Sequence, residues 1–296
     1  MPARRFVLVD VFTDRPLAGN PLPVVLDASG LTDGQMQAIA REFNASETTF
    51  VLPTTASRAS KRLRCFSPTE EVFGAGHNAL GAWWVIVAHG EVAVPGDETR
   101  LWQEIGSEVL SVDITRAGGM LVRVSITQGE PVTAAGGPDR VALAAALGLD
   151  AAALEVPGLP PAIMSTGAMH MLVPIRGLRD LERVHVDAPR LVAIANPLGC
   201  EGCYLFCLET RDADSTAHAR GFFPGIGIAE DPATGTAAGP LAAYLVARRQ
   251  AAEGAWLTIE QGDEIGRPCR IGVRVSGRRV EVAGRCVEVA EGSLAV

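Results

Sequence analysis

Two glycine-rich segments carry the residues best suited to bind an anion and move a proton. The first is GAGHN at residues 74–78, and the second is EDPATGTA at residues 230–237. Each opens a predicted apolar helix, whose first N–H groups have no partner within the helix and attract a carboxylate or other anion. His77 adds an imidazole and Asp231 adds a carboxyl group. The pattern predicts two places that hold a small anionic substrate.

An ordinary structural role stays open for both segments. Glycine-rich helix starts are common packing features, and a glycine motif is weak evidence of function by itself. In that interpretation Asp231 is only a helix N-cap, and His77 is a core histidine whose hydrogen bonds are satisfied.

Glu47 is the candidate general acid or base. It lies in Ser46-Glu47-Thr48, where a predicted helix gives way to a strand. A carboxyl group that is partly removed from water at such a junction has a raised pKa, nearer to the value that proton transfer at neutral pH requires. A solvated surface glutamate is the alternative interpretation, because most glutamates are exposed.

Three cysteines, Cys200, Cys203 and Cys207, have a spacing that invites comparison with metal sites. A closed zinc site needs four ligands, and the nearest histidine is His218, on the following segment. Cys203 and Cys207 also alternate with Leu205 along a predicted strand, so we interpret the cysteines as small buried hydrophobic residues. We expect no metal site.

The composition is that of a folded protein with enough chain for a sizeable core. The chain has 296 residues, 48% hydrophobic and 20% charged, which excludes disordered and collagen-like proteins. The formal net charge is -8, and no run of Lys and Arg is present, so nucleic acid is not an expected partner. Lys61 is the only lysine and lies among charged residues, which argues against a P-loop and against Schiff-base chemistry.

The sequence also predicts where the protein works. The apolar run within residues 1–10 is too short for a signal peptide, so we expect a cytoplasmic protein with reduced thiols. The longest uncharged stretch, residues 72–90, contains two histidines and several glycines. We interpret it as a buried helix and predict no membrane span.

Several patterns predict the elements that position these residues. Thr32 and Gln35 form a capping box before an amphipathic helix. Residues 76–88 are apolar on all sides, as expected of a helix surrounded by sheet. Residues 102–126 predict an antiparallel meander, and residues 131–138 predict a linker.

An internal repeat indicates the overall organisation. RCFSP at residues 64–68 is echoed by RGFFP at residues 220–224, and each is followed by an acidic pair and a glycine-led apolar helix. A repeat of about half the chain predicts two copies of one unit. Because predicted strands outnumber helices, we predict an α+β fold of two pseudo-symmetric domains, each an antiparallel barrel-like sheet around a central helix. The predicted domains are residues 1–128 and 129–283, with 284–296 returning to the first as a strand.

The joint order of these motifs resembles the PhzF-like family of phenazine-biosynthesis isomerase relatives, which shares its fold with diaminopimelate epimerase. The similarity runs from end to end, through residues 10–13, 19–21, 42–50, 75–81, 165–167, 230–235 and 261–268. The resemblance implies a homodimer, barrel-like domains and an active site between the domains.

The resemblance also implies roles for particular residues. The proton-transferring glutamate of the family corresponds to Glu47, its active-site histidine to His77 and its active-site aspartate to Asp231. A serine of the family corresponds to Thr236, which keeps the hydroxyl and adds a methyl group. The substrate-binding positions are Asn20, Ser46, Gly76, Gly235 and Thr236.

One departure from the epimerase relatives bears on the reaction. Those relatives carry two cysteines at the helix N-termini, whereas Ala75 and Thr234 stand there in this chain. Neither supplies a thiol, so racemisation by two cysteines is disfavoured. The resemblance then implies a cofactor-independent isomerase that moves a proton on a small anionic, amino-acid-like or cyclic carboxylate substrate.

Two other functions stay open at this point. One is a non-catalytic ligand-binding protein on the same fold, and the other is an epimerase that uses bases other than thiols. The sequence does not identify the substrate, and it does not explain Trp83-Trp84.

Overall fold

The structure is a computed structural model that describes residues 3–296, and the chain divides into two units. The first unit comprises the chain up to Thr127 together with Ala283–Val296, and the second comprises Gln128–Val282.

The first unit contains two helices and most of its strands before residue 128. The strands are β1 (Ala3–Val11), β2 (Asn20–Val25), β3 (Thr48–Leu52), β4 (Lys61–Phe66), β5 (Glu71–Val72), β6 (Glu98–Ile105), β7 (Glu108–Ala117) and β8 (Met120–Thr127). The helices are α1 (Asp33–Phe43) and α2 (His77–Ala88).

The second unit is mixed in the same way. Its strands are β9 (Val132–Ala134), β10 (Ala162–Ser165), β11 (Met169–Pro174), β12 (Cys203–Cys207), β13 (Ala217–Phe223), β14 (Ile228–Asp231), β15 (Trp256–Gln261), β16 (Cys269–Ser276) and β17 (Arg279–Gly284, which ends just beyond it). Its helices are α3 (Arg140–Ala146), α4 (Leu178–Glu182), α5 (Ala188–Ala195) and α6 (Gly235–Ala247). The last strand, β18 (Cys286–Ala295), belongs to the first unit and pairs antiparallel with β1.

Helix α1 begins where the capping box predicts. The Thr32 hydroxyl accepts a hydrogen bond from the Gln35 backbone N–H at 3.3 Å, and the Gln35 side chain accepts one from the Thr32 N–H at 3.0 Å. Met36 and Ile39 are buried on one face of the helix, in a cluster with Phe50. This face anchors α1 beside β3, the strand that follows Glu47.

The sheet is mixed, which corrects the prediction of purely antiparallel strands. The meander β6–β7–β8 is antiparallel, as expected. However, β2 pairs parallel with β3 and β4 with β6, and in the second unit β11 pairs parallel with β12 and β13 with β15. Parallel strands need a crossover connection. Helices lie within these connections, three of them as predicted, but the sequence analysis did not infer that the strands on either side of them pair in parallel.

The predicted linker at residues 131–138 is also wrong in part. Val132–Ala134 form strand β9, which pairs antiparallel with β10. The strand is only three residues long and has glycines nearby, so the sequence shows no strand pattern there. Its backbone N–H and C=O groups find their partners only on β10, which is distant in sequence.

Helices α2 and α6 are buried on nearly every face. Ten residues of α2 are buried, and it lies against β1, β2, β3 and β8. Ten residues of α6 are also buried, and it lies against β10, β11 and β16. Helix α2 approaches β1 and β2 so closely that Gly81 has no room for a side chain. A methyl group there would lie 2.7 Å from side-chain carbons of both Val11 and Leu22.

The internal repeat extends to side-chain geometry. In the first unit, Arg64 donates to both carboxylate oxygens of Glu71, at 2.7 and 2.6 Å, and its guanidinium lies 5.1 Å from the Phe66 ring. In the second unit, Arg220 donates to both oxygens of Glu230, each at 2.8 Å, and lies 4.9 Å from the Phe222 ring. The motif repeated in the sequence therefore makes the same bidentate pair and ring contact twice.

A second feature of the repeat was not evident in the sequence. The Glu104 carboxylate accepts the backbone N–H groups of residues 55 and 56, and the Glu260 carboxylate accepts those of residues 211 and 212. Arg62 faces Glu104 at 3.4 Å, and His218 faces Glu260 at 2.8 Å. Each unit thus uses a glutamate to hold the loop beside its parallel strand pair.

The six cysteines are all buried as free thiols. Every residue of β12 is buried, which agrees with the interpretation of Cys203 and Cys207 as packing residues. Within residues 3–296 no group of His, Cys, Asp and Glu has the arrangement of a metal site. In the same part of the chain no helix is long and apolar enough to cross a membrane.

Candidate functional site

The loop before α2 is held by a side chain from within the helix. Asn78 Oδ1 accepts the Gly76 N–H at 2.7 Å, and Asn78 Nδ2 donates to the Gly74 carbonyl at 3.2 Å. Asn78 Oδ1 also accepts the Ala79 N–H at 2.6 Å, while the N-cap residue, Gly76, has no side chain to contribute. The loop therefore brings a fixed backbone and His77 to the positive end of the α2 dipole.

The structure brings His77 and Glu47 together. His77 Nδ1 lies 3.8 Å from Glu47 Oε2, and the two side chains are 11% and 19% exposed. Burial lowers the pKa of His77 to about 4, so the imidazole is neutral at pH 7 and the contact is not an ion pair at that pH. His77 Nε2 is buried and has no hydrogen-bond partner among residues 3–296.

This unpartnered nitrogen is chemically informative. A buried polar atom without a partner carries a desolvation cost, so native structures usually satisfy it with protein, water or ligand. The first unit therefore holds a titratable carboxyl group, Glu47, against one nitrogen of His77, and leaves the other nitrogen of that ring available for a hydrogen bond.

Asn20 and Ser46 also lie together in the first unit. Ser46 Oγ donates to Asn20 Oδ1 at 3.4 Å, and Asn20 is fully buried at the start of β2. The turn before it needs Gly19, which has φ +70° and whose added Cβ would lie 2.6 Å from the Val11 carbonyl. The contact links β2 to the segment that carries Glu47.

Asp231 ends strand β14 in the second unit and is buried. It accepts a hydrogen bond from Thr234 Oγ1 at 2.5 Å, and its backbone carbonyl accepts from Gln261 Nε2 at 2.7 Å. Gln261 Oε1 in turn accepts from the Thr234 N–H at 3.0 Å and from the Tyr204 hydroxyl at 2.8 Å. Asp231 is not the N-cap of α6, because Thr234 holds that position; the N-cap alternative is wrong.

Gly235 and Thr236 are the first residues of α6, where no N-cap side chain takes a backbone N–H group. Gln128 Nε2 donates to the Gly235 carbonyl at 3.0 Å, and Gln128 Oε1 accepts from Thr166 Oγ1 at 2.7 Å. A methyl group at Gly239 would lie 1.9 Å from Gln128 Oε1, so the glycine leaves the space that the Gln128 side chain occupies when it makes these hydrogen bonds.

His170 belongs to the same region and was missed by the sequence analysis. It lies on β11 with only 3% exposure, and its Nε2 is 3.3 Å from Thr236 Oγ1. Its ring also packs edge-to-face on Phe223, with centroids 5.5 Å apart. A polar residue inside the otherwise apolar strand MHMLVP was the signal available in the sequence.

Comparisons with known proteins place this geometry in context. The family model described as "Phenazine biosynthesis-like protein" (PhzC-PhzF) matches residues 9–292. The chain is 36% identical to the trans-2,3-dihydro-3-hydroxyanthranilate isomerase of Pseudomonas chlororaphis, over 98% of each chain. It is also 36% identical to an uncharacterized isomerase of Mesorhizobium japonicum, over 99% of each chain. These names confirm the prediction of an isomerase.

Solved structures agree with the α+β, mixed-sheet fold. A PhzF-family phenazine biosynthesis protein of Bacillus anthracis has a TM-score of 0.91 and 29% identity, over 100% of both chains. A hydroxyproline epimerase of Agrobacterium vitis has a TM-score of 0.63 over 99% of this chain and 93% of its own, and at 15% identity it supports the fold alone. By the extent of the family match and the identity to full-length relatives, the chain belongs to the PhzC-PhzF family of phenazine biosynthesis-like proteins.

Proposed function

We propose that this protein is an isomerase that moves a proton on a small anionic carboxylate, with Glu47 as the general acid and base. The observation that carries the proposal is the pair formed by Glu47 and His77: Glu47 Oε2 lies 3.8 Å from His77 Nδ1, and Nε2 of the same imidazole is buried without a hydrogen-bond partner among residues 3–296. We propose that the substrate bonds to Nε2 and that its reacting C–H group is held against the Glu47 carboxyl group.

The relatives and the two helix starts support the proposed substrate class. The name of the Pseudomonas chlororaphis relative specifies a ring that bears a carboxylate, an amino group and a hydroxyl group. We propose a cyclic or amino-acid-like carboxylate for this chain as well. The starts of α2 and α6 suit a carboxylate because their first N–H groups carry partial positive charge; in α2 the Ala79 N–H is already taken by Asn78 Oδ1, so the proposal there concerns the N–H groups of His77 and Asn78.

In the proposed reaction, the Glu47 carboxylate removes a proton from a C–H bond of the substrate. The electron pair of that bond shifts into the adjacent double bonds, and the protonated Glu47 returns the proton to another carbon. The sum is an isomerisation with no net change in protons or electrons. Neutral His77 donates or accepts a hydrogen bond to the substrate through Nε2. Proton transfer by a positioned general acid or base such as Glu47 typically accelerates a reaction about 10²- to 10⁴-fold.

The remaining site residues enter the proposal through the family resemblance. We propose Asp231 as a third catalytic group, and we propose Asn20, Ser46, Gly76, Gly235 and Thr236 as substrate-binding residues. The hydrogen bonds around Asp231 and Gly235 support this role, because they hold both segments in defined positions.

Glu47→Gln is the test of the proposed reaction. The amide keeps the shape of the side chain but cannot accept the proton. The variant should therefore turn over trans-2,3-dihydro-3-hydroxyanthranilate at least about 10²-fold more slowly than the wild-type protein. In D2O, wild-type protein should incorporate deuterium into the substrate, and the variant should not. Glu42→Gln, at an exposed position on α1, is the matched control.

The outcomes separate the competing functions. A fully active Glu47→Gln protein contradicts the mechanism. Binding without any conversion of the substrate by the wild-type protein indicates a ligand-binding protein instead. Incorporation with inverted configuration at the same carbon, measured by chiral chromatography, indicates an epimerase that uses non-thiol bases.

We extend the proposal to architecture. Residues 1–128 and 129–283 are proposed as two barrel-like domains, each wrapped around its helix, with 284–296 returning to the first. The burial of α2 and α6 on nearly all faces supports a central helix in each. A homodimer stays a prediction, which sedimentation equilibrium would test.

A further inference from the structure

His170 is a buried polar side chain to which the proposed reaction assigns no task. Its imidazole is 3% exposed, yet Nε2 lies 3.3 Å from the hydroxyl oxygen of Thr236. Thr236 itself is only half-buried. A neutral, enclosed ring therefore contacts a residue that is open enough to reach a bound molecule.

The internal repeat gives this pair a counterpart. Gly76-His77 and Gly235-Thr236 occupy corresponding places at the starts of α2 and α6. In the first unit the residue after the glycine is contacted by Glu47, and in the second it is contacted by His170. Each helix start is thus paired with one titratable side chain from outside its helix.

The hydrogen-bond chemistry of Thr236 narrows the role of the contact. The hydroxyl group has one hydrogen and can accept two further bonds. The backbone N–H groups at the start of α6 favour an anion there. If the hydroxyl donates its single hydrogen to that anion, its oxygen can only accept in the contact with His170, and a neutral imidazole with its proton on Nε2 is the matching donor. Burial lowers the pKa of His170 to about 4, so the ring brings no charge of its own at neutral pH.

We propose that His170 is a positioning residue, which donates Nε2–H to Thr236 Oγ1 and so directs the Thr236 hydroxyl hydrogen toward the carboxylate of the substrate at the start of α6. The inference rests on the proposed function, and it names the substrate group that this helix start binds. In this arrangement His170 does not touch the substrate and does not transfer the proton.

A double-mutant cycle tests the proposal. The variants are His170→Phe, which keeps a ring of similar size against Phe223, Thr236→Val, which removes only the hydroxyl, and the double variant. The probe is 3-hydroxyanthranilate, an aromatic carboxylate, with its Kd measured by calorimetry. Each single change should weaken binding about tenfold, which is typical of one hydrogen bond to a charged group. The double variant should bind no more weakly than Thr236→Val alone.

Two further measurements distinguish positioning from a structural role. His170→Gln places an amide N–H near the former Nε2 and should restore most of the affinity. With trans-2,3-dihydro-3-hydroxyanthranilate as substrate, His170→Phe should raise KM about tenfold and leave kcat within about twofold, because the carboxylate contact is the same in ground and transition states. If the Phe variant does not fold, His170→Leu replaces it in the cycle.

The results either support or overturn the inference. Unchanged affinity in His170→Phe, additive losses of about a hundredfold in the double variant, or a wild-type protein that does not bind the probe would overturn it. The Glu47→Gln variant distinguishes failure of this inference from failure of the proposed function. If Glu47→Gln converts the substrate at the wild-type rate while the double-mutant cycle gives the expected affinities, the proposed mechanism is wrong and the role of His170 is supported.

Discussion

Replacing His170 by glutamine should make the stability of the protein less sensitive to acid. Burial lowers the pKa of His170 to about 4, against 6.5 for an ordinary histidine. Between pH 6.5 and pH 4 the unfolded chain therefore binds a proton that the folded chain does not. Stability rises with pH wherever the unfolded state binds more protons, so it must fall as the solution is acidified through this interval.

The magnitude follows from the two pKa values. Each unit of pKa difference corresponds to about 1.4 kcal/mol, so complete protonation of the unfolded chain costs the folded state about 3 kcal/mol. From pH 7 to pH 5 the loss from this one histidine is about 2 kcal/mol. Its 3% exposure and the absence of any ion-pair partner for it within residues 3–296 leave little to offset the effect of burial.

The assay is urea unfolding at pH 5, 6 and 7. His170→Gln should lose about 2 kcal/mol less than the wild-type protein between pH 7 and pH 5, whatever its absolute stability. His185→Gln changes an exposed histidine and is the matched control. An identical pH dependence in wild type and His170→Gln would refute the argument that this imidazole is neutral and buried.

Two further predictions concern stability. His218 is fully buried between two carboxylates, at 2.8 and 3.0 Å, so His218→Asn should destabilise the protein by about 3 to 5 kcal/mol in urea unfolding, with the exposed His185→Asn nearly neutral. Burial opposes protonation of His218, but the two carboxylates outweigh burial and raise its pKa. The contribution of His218 to the free energy of unfolding should therefore be complete below pH 6.5 and should decline as the pH rises above 6.5. A wild-type stability that does not change with pH above 6.5 would contradict the raised pKa. Gly81→Ala should lower the free energy of unfolding by about 1 to 3 kcal/mol, because the added methyl group would lie 2.7 Å from carbons of Val11 and Leu22. Thermal unfolding measures the effect, and an unchanged Tm would show that the surrounding side chains move to accommodate the methyl group.

Local patterns predicted local structure well. The Thr32 capping box begins α1, and the apolar stretch after Gly76 is a helix with nearly all of its residues buried. The repeated Arg-x-Phe motif predicted two copies of one unit, and the structure shows the same guanidinium, carboxylate and ring contacts in both. Such features depend on neighbouring residues, so they are visible in a single sequence.

Long-range pairing was predicted less well. The parallel pairs, such as β2 with β3, depend on which strand edge is free after a crossover, and no local pattern records that. Strand β9 was taken for a linker because it gains its hydrogen bonds only from β10. His170 was overlooked for a similar reason: it is distant in sequence from Thr236, and only packing of β11 beside α6 brings the two together.

By itself, the sequence determined the residue types that are able to do the chemistry, the helix starts that attract an anion, and the family. Only the tertiary structure decided which of these groups touch: that Glu47 lies 3.8 Å from His77, that the Asp231 carbonyl accepts from Gln261, and that His77 Nε2 is left open. The physical reason is that propensity, capping and charge act over a few residues, whereas desolvation and hydrogen bonding between distant segments exist only once the chain has packed.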